Sequence, residues 1–306
     1  MKKAKIIMNP QSGKKKNINY HNLYDILRKH GYDGEILFTT GAKDATRIVK
    51  ELDNDIDLVI SCGGDGTLNE VISGDMQRKK PLPLANLPLG TTNDVGNMYG
   101  LNKNVLENLN LLLNGVQKNI DVCYINETPF IYVACLGDFV DVSYSTPRDL
   151  KEKYGKMGYI LFGAKSFFRH KLHSYNIRYT VDGKTHEDNI SFFFITNSSR
   201  VAGFNDVYYD IKLNDGKFEV AMAKVKTKPD LFRIFAMLST RDIKDIPEIT
   251  YYRTDNIEIE FIDKPKTSWS IDGEEYKTDN MKFTLKVVKG PKMLLPKNNA
   301  KILFND

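Results

Sequence analysis

Three polar loops near the start of the chain hold the groups that could do chemistry. They are Asn9-Pro10-Gln11-Ser12-Gly13, Gly63-Gly64-Asp65-Gly66-Thr67-Leu68-Asn69-Glu70-Val71 and Pro88-Leu89-Gly90-Thr91-Thr92-Asn93-Asp94, and each follows a short apolar run. Glycine lets a backbone come close to a ligand. A helix that starts at such a turn aims unpaired N–H groups and the positive end of its dipole at phosphate. Thr67 and Glu70 stand at capping-box spacing, which predicts a helix start at Thr67. Asp65 would repel phosphates unless Mg²⁺ lay between them, so a metal-nucleotide is the ligand the loop predicts. A tight strand-to-helix turn with no ligand is the competing reading. A dinucleotide fingerprint fails because Asn69 stands where its third glycine belongs, and no GxxxxGK[ST] loop occurs.

A second set of groups lies far along the chain. Asp272 and Glu274 sit two apart at a turn between β-type runs, and either could accept a hydroxyl proton. Asp-Gly is also a common hairpin turn, so solvated hairpin carboxylates are the plainer alternative. The stretch Lys165-Ser166-Phe167-Phe168-Arg169-His170-Lys171-Leu172-His173 mixes aromatics with cations and could touch an acidic membrane surface. A core role for the phenylalanines with solvated cations is the alternative. His170 and His173 have no third ligand nearby in sequence, and the three cysteines, Cys62, Cys123 and Cys135, form no CxxC pair. Neither a zinc site nor a disulfide framework is expected.

The elements that must position these loops follow from the apolar pattern. Lys5–Met8, Glu35–Phe38, Asp57–Cys62 and Pro83–Leu87 read as strands, and 20–30, 44–52 and 104–113 read as amphipathic helices. That alternation predicts a mainly parallel sheet with flanking helices over residues 1–120. The three loops then share the carboxyl edge of the sheet, where open α/β sheets bind ligands. From residue 121 to 306 the texture turns to β-branched and aromatic runs, at 130–135, 177–181, 190–196, 218–225, 257–262, 268–271 and 281–288. Asp-Gly signals separate several of them, and helical stretches at 147–169 and 229–238 interrupt. A β-sandwich domain is expected there, its last residues able to return to the first domain, with a cleft between the two.

The chain of 306 residues has 41% hydrophobic and 27% charged residues, as an ordinary globular protein does. Lys and Arg number 44 against 39 Asp and Glu, a net +5, which suits a nucleotide or an acidic membrane but is mild for a nucleic-acid binder. No apolar run approaches the length that crosses a bilayer, so a cytoplasmic protein peripheral to the membrane is expected.

The three loops, together with Ile271-Asp272-Gly273-Glu274, resemble the diacylglycerol kinase catalytic-domain superfamily, in particular its soluble bacterial lipid kinases. The resemblance extends through Thr146-Pro147, Leu150-Lys151, Gly155-Lys156, Tyr159 and Leu294-Leu295-Pro296, nearly the whole chain. It implies Mg²⁺-dependent transfer of the γ-phosphate of ATP to the hydroxyl of diacylglycerol or a related lipid alcohol. It also implies an NAD kinase/diacylglycerol kinase-like fold, transient membrane contact and no nucleic-acid partner, and it leaves a homodimer open. The matching nucleotide positions are Asn9, Pro10, Gln11, Ser12, Gly13, Thr39, Gly64, Asp65, Gly66, Thr67, Leu68, Asn69, Glu70 and Thr91. Glu274, Asp272 and Asp65 match the catalytic positions. Asp215, with the main-chain carbonyls of Lys212 and Lys217, matches a structural Mg²⁺ site, and Asp121 matches an acid linked to that metal through water. The usual Asp-Asp-Gly of that site is Asn214-Asp215-Gly216 here, the Gly-Asp-Ala after the second strand is Lys43-Asp44-Ala45, and the usual aromatic-Ala after Asn-Asp is Val95-Gly96. NAD kinase and a catalytically silent nucleotide-binding regulator are the alternatives.

Overall fold

The computed structural model describes residues 1–13, 18–137, 172–198, 211–227, 229–230, 233–234, 237 and 242–305. The expected helix at 147–169, the motif at 146–159 and residues 165–171 of the aromatic-cationic stretch lie outside those residues. The chain forms two compact units. The first is Met1–Asp121 with Lys212–Asp215 and Lys289–Asp306, and the second is Val122–Ile211 with Gly216–Val288.

In the first unit, β1 (Lys2–Met8), β2 (Tyr32–Phe38), β3 (Leu58–Gly63) and β4 (Leu84–Pro88) are parallel, in the order β2-β1-β3-β4. The two inner strands β3 and β4 are buried at every residue, which is why they read as unbroken apolar runs rather than alternating ones. Helix α1 (Tyr20–Lys29) starts at Asn19, whose Oδ1 accepts the Asn22 N–H at 3.3 Å, and it is followed by Gly31 at φ +82°. Helix α2 (Asp44–Glu51) packs on α3 (Asp65–Asp75). Gly74 makes that packing close, since a Cβ there would lie 2.5 Å from the Thr46 carbonyl oxygen. Helix α4 (Asp94–Met98) follows β4 directly, and α5 (Val105–Leu113) starts at Asn104, whose Oδ1 accepts the Glu107 N–H at 3.2 Å.

The second unit is a sandwich. After β5 (Val116–Ile125) come β6 (Thr128–Phe130), β7 (Val133–Gly137), β8 (Tyr175–Val181), β9 (Lys184–Ile190), β10 (Phe192–Thr196), β11 (Phe218–Ala223), β12 (Ile249–Thr254), β13 (Asn256–Phe261), β14 (Trp269–Ile271), β15 (Glu274–Tyr276) and β16 (Lys282–Leu295). One sheet runs β12-β11-β10-β7-β14-β15. Opposite it, β13 is antiparallel to both β8 and the first residues of β16. Trp269, Phe193, Phe261 and Phe283 from the two sheets meet in the core, with ring centroids 5.4–5.8 Å apart. Strand β16 carries the chain back to the first unit, where Met293 pairs parallel with Leu84 and α6 (Lys297–Leu303) follows.

Several expectations are corrected. The run at 130–135 is broken at Ile131-Tyr132, and the run at 190–196 is broken at Ser191, whose hydroxyl donates to the Val225 carbonyl at 3.0 Å. Strands β5, β9, β12 and β15 and the short helices α4 and α6 were not marked by the apolar pattern. β9 is a mostly exposed, polar edge strand, so it carries little hydrophobic signal.

Candidate active site

At the carboxyl edge of the parallel sheet, the three loops are stitched together by short-range contacts. Asn9 donates its backbone N–H to the Cys62 carbonyl at 3.0 Å and its side-chain amide to Thr67 Oγ1 at 3.2 Å. Its Oδ1 accepts the Gln11 N–H at 2.9 Å, which turns the Asn9–Gly13 loop. The Leu89 N–H donates to the Gly63 carbonyl at 2.6 Å. Above that bond the backbones of Gly64 and Gly90 touch. A Cβ on Gly90 would fall 2.8 Å from the Gly64 Cα, and one on Gly63 would fall 2.3 Å from Thr67 Oγ1. The glycines are needed for this loop-on-loop approach, although neither Gly64 nor Gly90 has a positive φ.

Helix α3 starts three residues earlier than the capping box predicts. Gly64 is its N-cap and no side chain caps it, so the Thr67–Glu70 box does not form. The Glu70 carboxylate reaches α2 instead. Oε1 accepts the Lys43 N–H at 2.8 Å and Oε2 accepts the Ala45 N–H at 3.1 Å. A carboxylate at the start of α2 satisfies orphan donors and suits the dipole. Lys43 holds φ +63° there. Beside it the Thr40 N–H and hydroxyl both donate to Asp44 at 2.8 Å and, with Arg47, hold its carboxyl below the usual range. Thr39 is buried, its N–H bonded to the Met8 carbonyl at 2.9 Å.

Asp65 is bound to the third loop. Its oxygens accept the N–H groups of Asp94 at 2.9 Å and Val95 at 3.2 Å, so it caps α4 from the neighbouring helix. Asn93 adopts φ +52° and donates its amide to the Gly90 carbonyl at 2.7 Å, closing the loop that presents Thr91 at the surface. Pro10, Ser12, Gly13, Gly66, Leu68 and Asn69 belong to the same three loops or the first turns of α3, with Gly13 and Gly66 exposed and Leu68 buried. Beneath them burial pushes the Cys62 thiol up to about 12, which leaves it an apolar core group.

The Asp272–Glu274 turn belongs to the second unit. Asp272 and Gly273 have φ +48° and +85°, the geometry of a two-residue hairpin between β14 and β15. The Asp272 carboxylate is buried and accepts three backbone N–H groups, from Ile131 at 2.8 Å, Tyr132 at 3.1 Å and Val133 at 3.0 Å. Those bonds are what breaks the run at 130–135. Glu274 is exposed on the first residue of β15. The two carboxylates differ accordingly: Asp272 is held by the main chain, whereas Glu274 is exposed to solvent.

At the remaining predicted site, the Leu213 carbonyl accepts the Asp121 N–H at 2.7 Å, two residues before the half-exposed Asp215. Gly216 follows at φ +70°. Among the described residues no three His, Cys, Asp or Glu side chains group together, so an ion at this turn would need main-chain oxygens and water beside Asp215 and Asp121. Lys212 and Lys217 bracket the turn in sequence.

With this geometry in place, comparison with known proteins defines the class. Residues 3–125 match the diacylglycerol kinase catalytic domain, and residues 143–291 match the YegS C-terminal NAD kinase beta sandwich-like domain. A diacylglycerol kinase of Bacillus subtilis (strain 168) is 32% identical over 279 residues, 90% of each chain. A diacylglycerol kinase of Staphylococcus saprophyticus is 30% identical over 262 residues, 84% of this chain and 85% of that one. A solved diacylglycerol kinase structure from Bacillus anthracis str. Sterne, 25% identical, superposes with a TM-score of 0.76 over 96% of this chain and 97% of that chain. The chain belongs to the diacylglycerol kinase family and is a kinase acting on a lipid alcohol. No described helix is long and apolar enough to cross a membrane.

Proposed function

We propose that the protein transfers the γ-phosphoryl group of Mg·ATP to the free hydroxyl of diacylglycerol or a related lipid alcohol at an acidic membrane surface. The observation that carries the nucleotide half is the Gly64–Gly90 contact, which brings the loops after β3 and β4 together at the start of α3. Such a rim supplies backbone N–H groups for phosphate oxygens, and phosphoryl transfer depends mainly on positioning and charge neutralisation. Asn9–Gly13, Thr39, the 64–70 segment and Thr91 bind the nucleotide in this reading. Asp65 fixes α4, and its carboxylate would help hold the metal that accompanies ATP. Glu274 accepts the lipid hydroxyl proton, and Asp272 orients the hairpin that carries it.

A separate structural Mg²⁺ is assigned to the Asp215 turn. The residues fit a hard cation. Asp215 and Asp121 lie on segments joined by the Asp121–Leu213 bond, and the remaining donors are main-chain carbonyls, those of Lys212 and Lys217 among them. Magnesium bound there would supply a fixed positive charge to hold the turn.

The test is an acceptor panel. Wild-type protein with Mg·ATP is offered diacylglycerol, other lipid alcohols and NAD in mixed micelles. Phosphorylation of diacylglycerol or another lipid alcohol, and not of NAD, is expected. Exclusive NAD phosphorylation, or hydrolysis without transfer, would overturn the proposal.

A further inference from the structure

The Asp215 turn is gripped by residues far along the chain. Every one of the three residues before Asp215 is hydrogen-bonded to the segment that ends α6 and continues from it. Lys212 Nζ donates to the Ile302 carbonyl at 2.6 Å, and the Leu213 N–H donates to the Leu303 carbonyl at 2.8 Å. Asn214 makes two bonds to one residue: its Oδ1 accepts the Asn305 N–H at 2.7 Å and its Nδ2 donates to the Asn305 carbonyl at 3.1 Å. Lys118 Nζ donates to that same carbonyl at 3.1 Å, and Phe304 is buried at 3% exposure, pinning the segment between those bonds.

We infer that residues 302–305 are a strap that presets the Asp215 turn, so that the affinity of this turn for a divalent cation depends on the strap. The inference rests on the metal reading of the Asp215 turn given above. A turn held in its binding shape loses less freedom when it takes up a ligand, and so binds more tightly. The amide at 214 is suited to this. It donates and accepts at once, whereas the carboxylate that Asp-Asp-Gly would place there could only accept, and would set an oxygen against the Asn305 carbonyl. Asn214, Phe304 and Asn305 are positioning residues in this account. Leu213 also joins the strap to the Asp121 strand, because its N–H serves the strap and its carbonyl serves Asp121. Coupling of this kind is reciprocal: what the strap does for the cation, the cation does for the strap.

The experiment titrates Mg²⁺ alone into wild type, Asn214→Ala, Phe304→Ala, Asp215→Ala and the surface control Lys301→Ala. Binding is read by calorimetry, and amide hydrogen exchange is read at Leu213 and Asn305. Wild type and Lys301→Ala are expected to bind alike. Asn214→Ala and Phe304→Ala are expected to bind about fivefold more weakly or worse, at the low end of typical coupling energies. Mg²⁺ is expected to slow exchange at Leu213 and Asn305 in wild type and not in Asp215→Ala. The exchange measurement stands even if Phe304→Ala folds poorly. If Asp215→Ala loses Mg²⁺ while folded Asn214→Ala keeps wild-type affinity and exchange at Asn305 ignores Mg²⁺, the strap inference fails alone. If Asp215→Ala binds as wild type does, the metal reading fails and the strap inference falls with it.

Discussion

Two glycines that touch, Gly64 and Gly90, set how closely the loops after β3 and β4 approach at the carboxyl edge of the sheet. A Cβ on Gly90 meets Asn93 Oδ1 at 2.7 Å and the Gly64 Cα at 2.8 Å, and the Gly64 backbone cannot swing aside as a side chain can. Gly90→Ala is therefore expected to keep the fold and raise the KM for ATP by about tenfold or more, the cost of roughly 1.4 kcal/mol of misplacement, while the KM for lipid stays put. Steady-state kinetics with each substrate varied in turn checks this. The two hairpin acids make a contrasting pair. Asp272→Ala strands three buried N–H groups, which at the usual cost of an unsatisfied donor amounts to roughly 3 kcal/mol or more. Glu274→Ala, on an exposed position, is expected to shift stability by less than about 0.5 kcal/mol. Urea unfolding of the two variants distinguishes the roles, and equal destabilisation would contradict the assignment. In the sequence the two acids were neighbours in one Asp-Gly-Glu, with Glu274 favoured as the base and Asp272 close behind. Nothing in local spacing marks which carboxylate bonds to a segment about 140 residues away.

Side chains from neighbouring elements cap the helices that frame the rim. Glu70 of α3 caps α2 and Asp65 of α3 caps α4. Local rules assign Glu70 to its own helix because its spacing from Thr67 fits a capping box. The tertiary contact prevails because Gly64 already starts α3 and α2 packs alongside. Glu70→Ala is expected to cost about 1–2 kcal/mol by loss of two charge-assisted bonds, measured by urea unfolding. The other end of α3 carries a pH response. Burial pushes the Asp75 carboxyl up to about 6, against the opposing pull of the Leu82 N–H and Arg78. Its native value lies above its unfolded one, so its contribution to stability is fullest below the ordinary carboxylate range. That contribution is lost as pH rises through 6. Asp75→Asn keeps an acceptor for Leu82. Thermal unfolding between pH 5 and 8 is expected to show the variant gaining on wild type as pH rises, and a pH-independent difference would contradict this. The strands of the first unit were readable because inner parallel strands are apolar throughout. Strand β9 was not, because an exposed edge strand of Lys, Thr, His, Glu and Asp carries no such signal.

Taken as a molecule, the protein consists of a parallel α/β unit with three stitched loops and a β-sandwich unit whose hairpin carries Glu274. The fold class was legible because the change from strand-helix alternation to β-rich, turn-punctuated sequence is a difference of period and composition. The interlocking of the loops was not, since it depends on which glycines meet across strands. The central claim is that this chain moves the γ-phosphoryl group of ATP onto a lipid hydroxyl, with Glu274 accepting the proton. Single-turnover transfer from γ-labelled ATP to diacylglycerol in mixed micelles tests it most directly, comparing wild type with Glu274→Gln. Labelled phosphatidic acid from wild type, and a rate at least about a hundredfold lower from a folded, ATP-binding Glu274→Gln, is the result the account predicts. Undiminished transfer by that variant, or no labelled lipid from wild type, would contradict it.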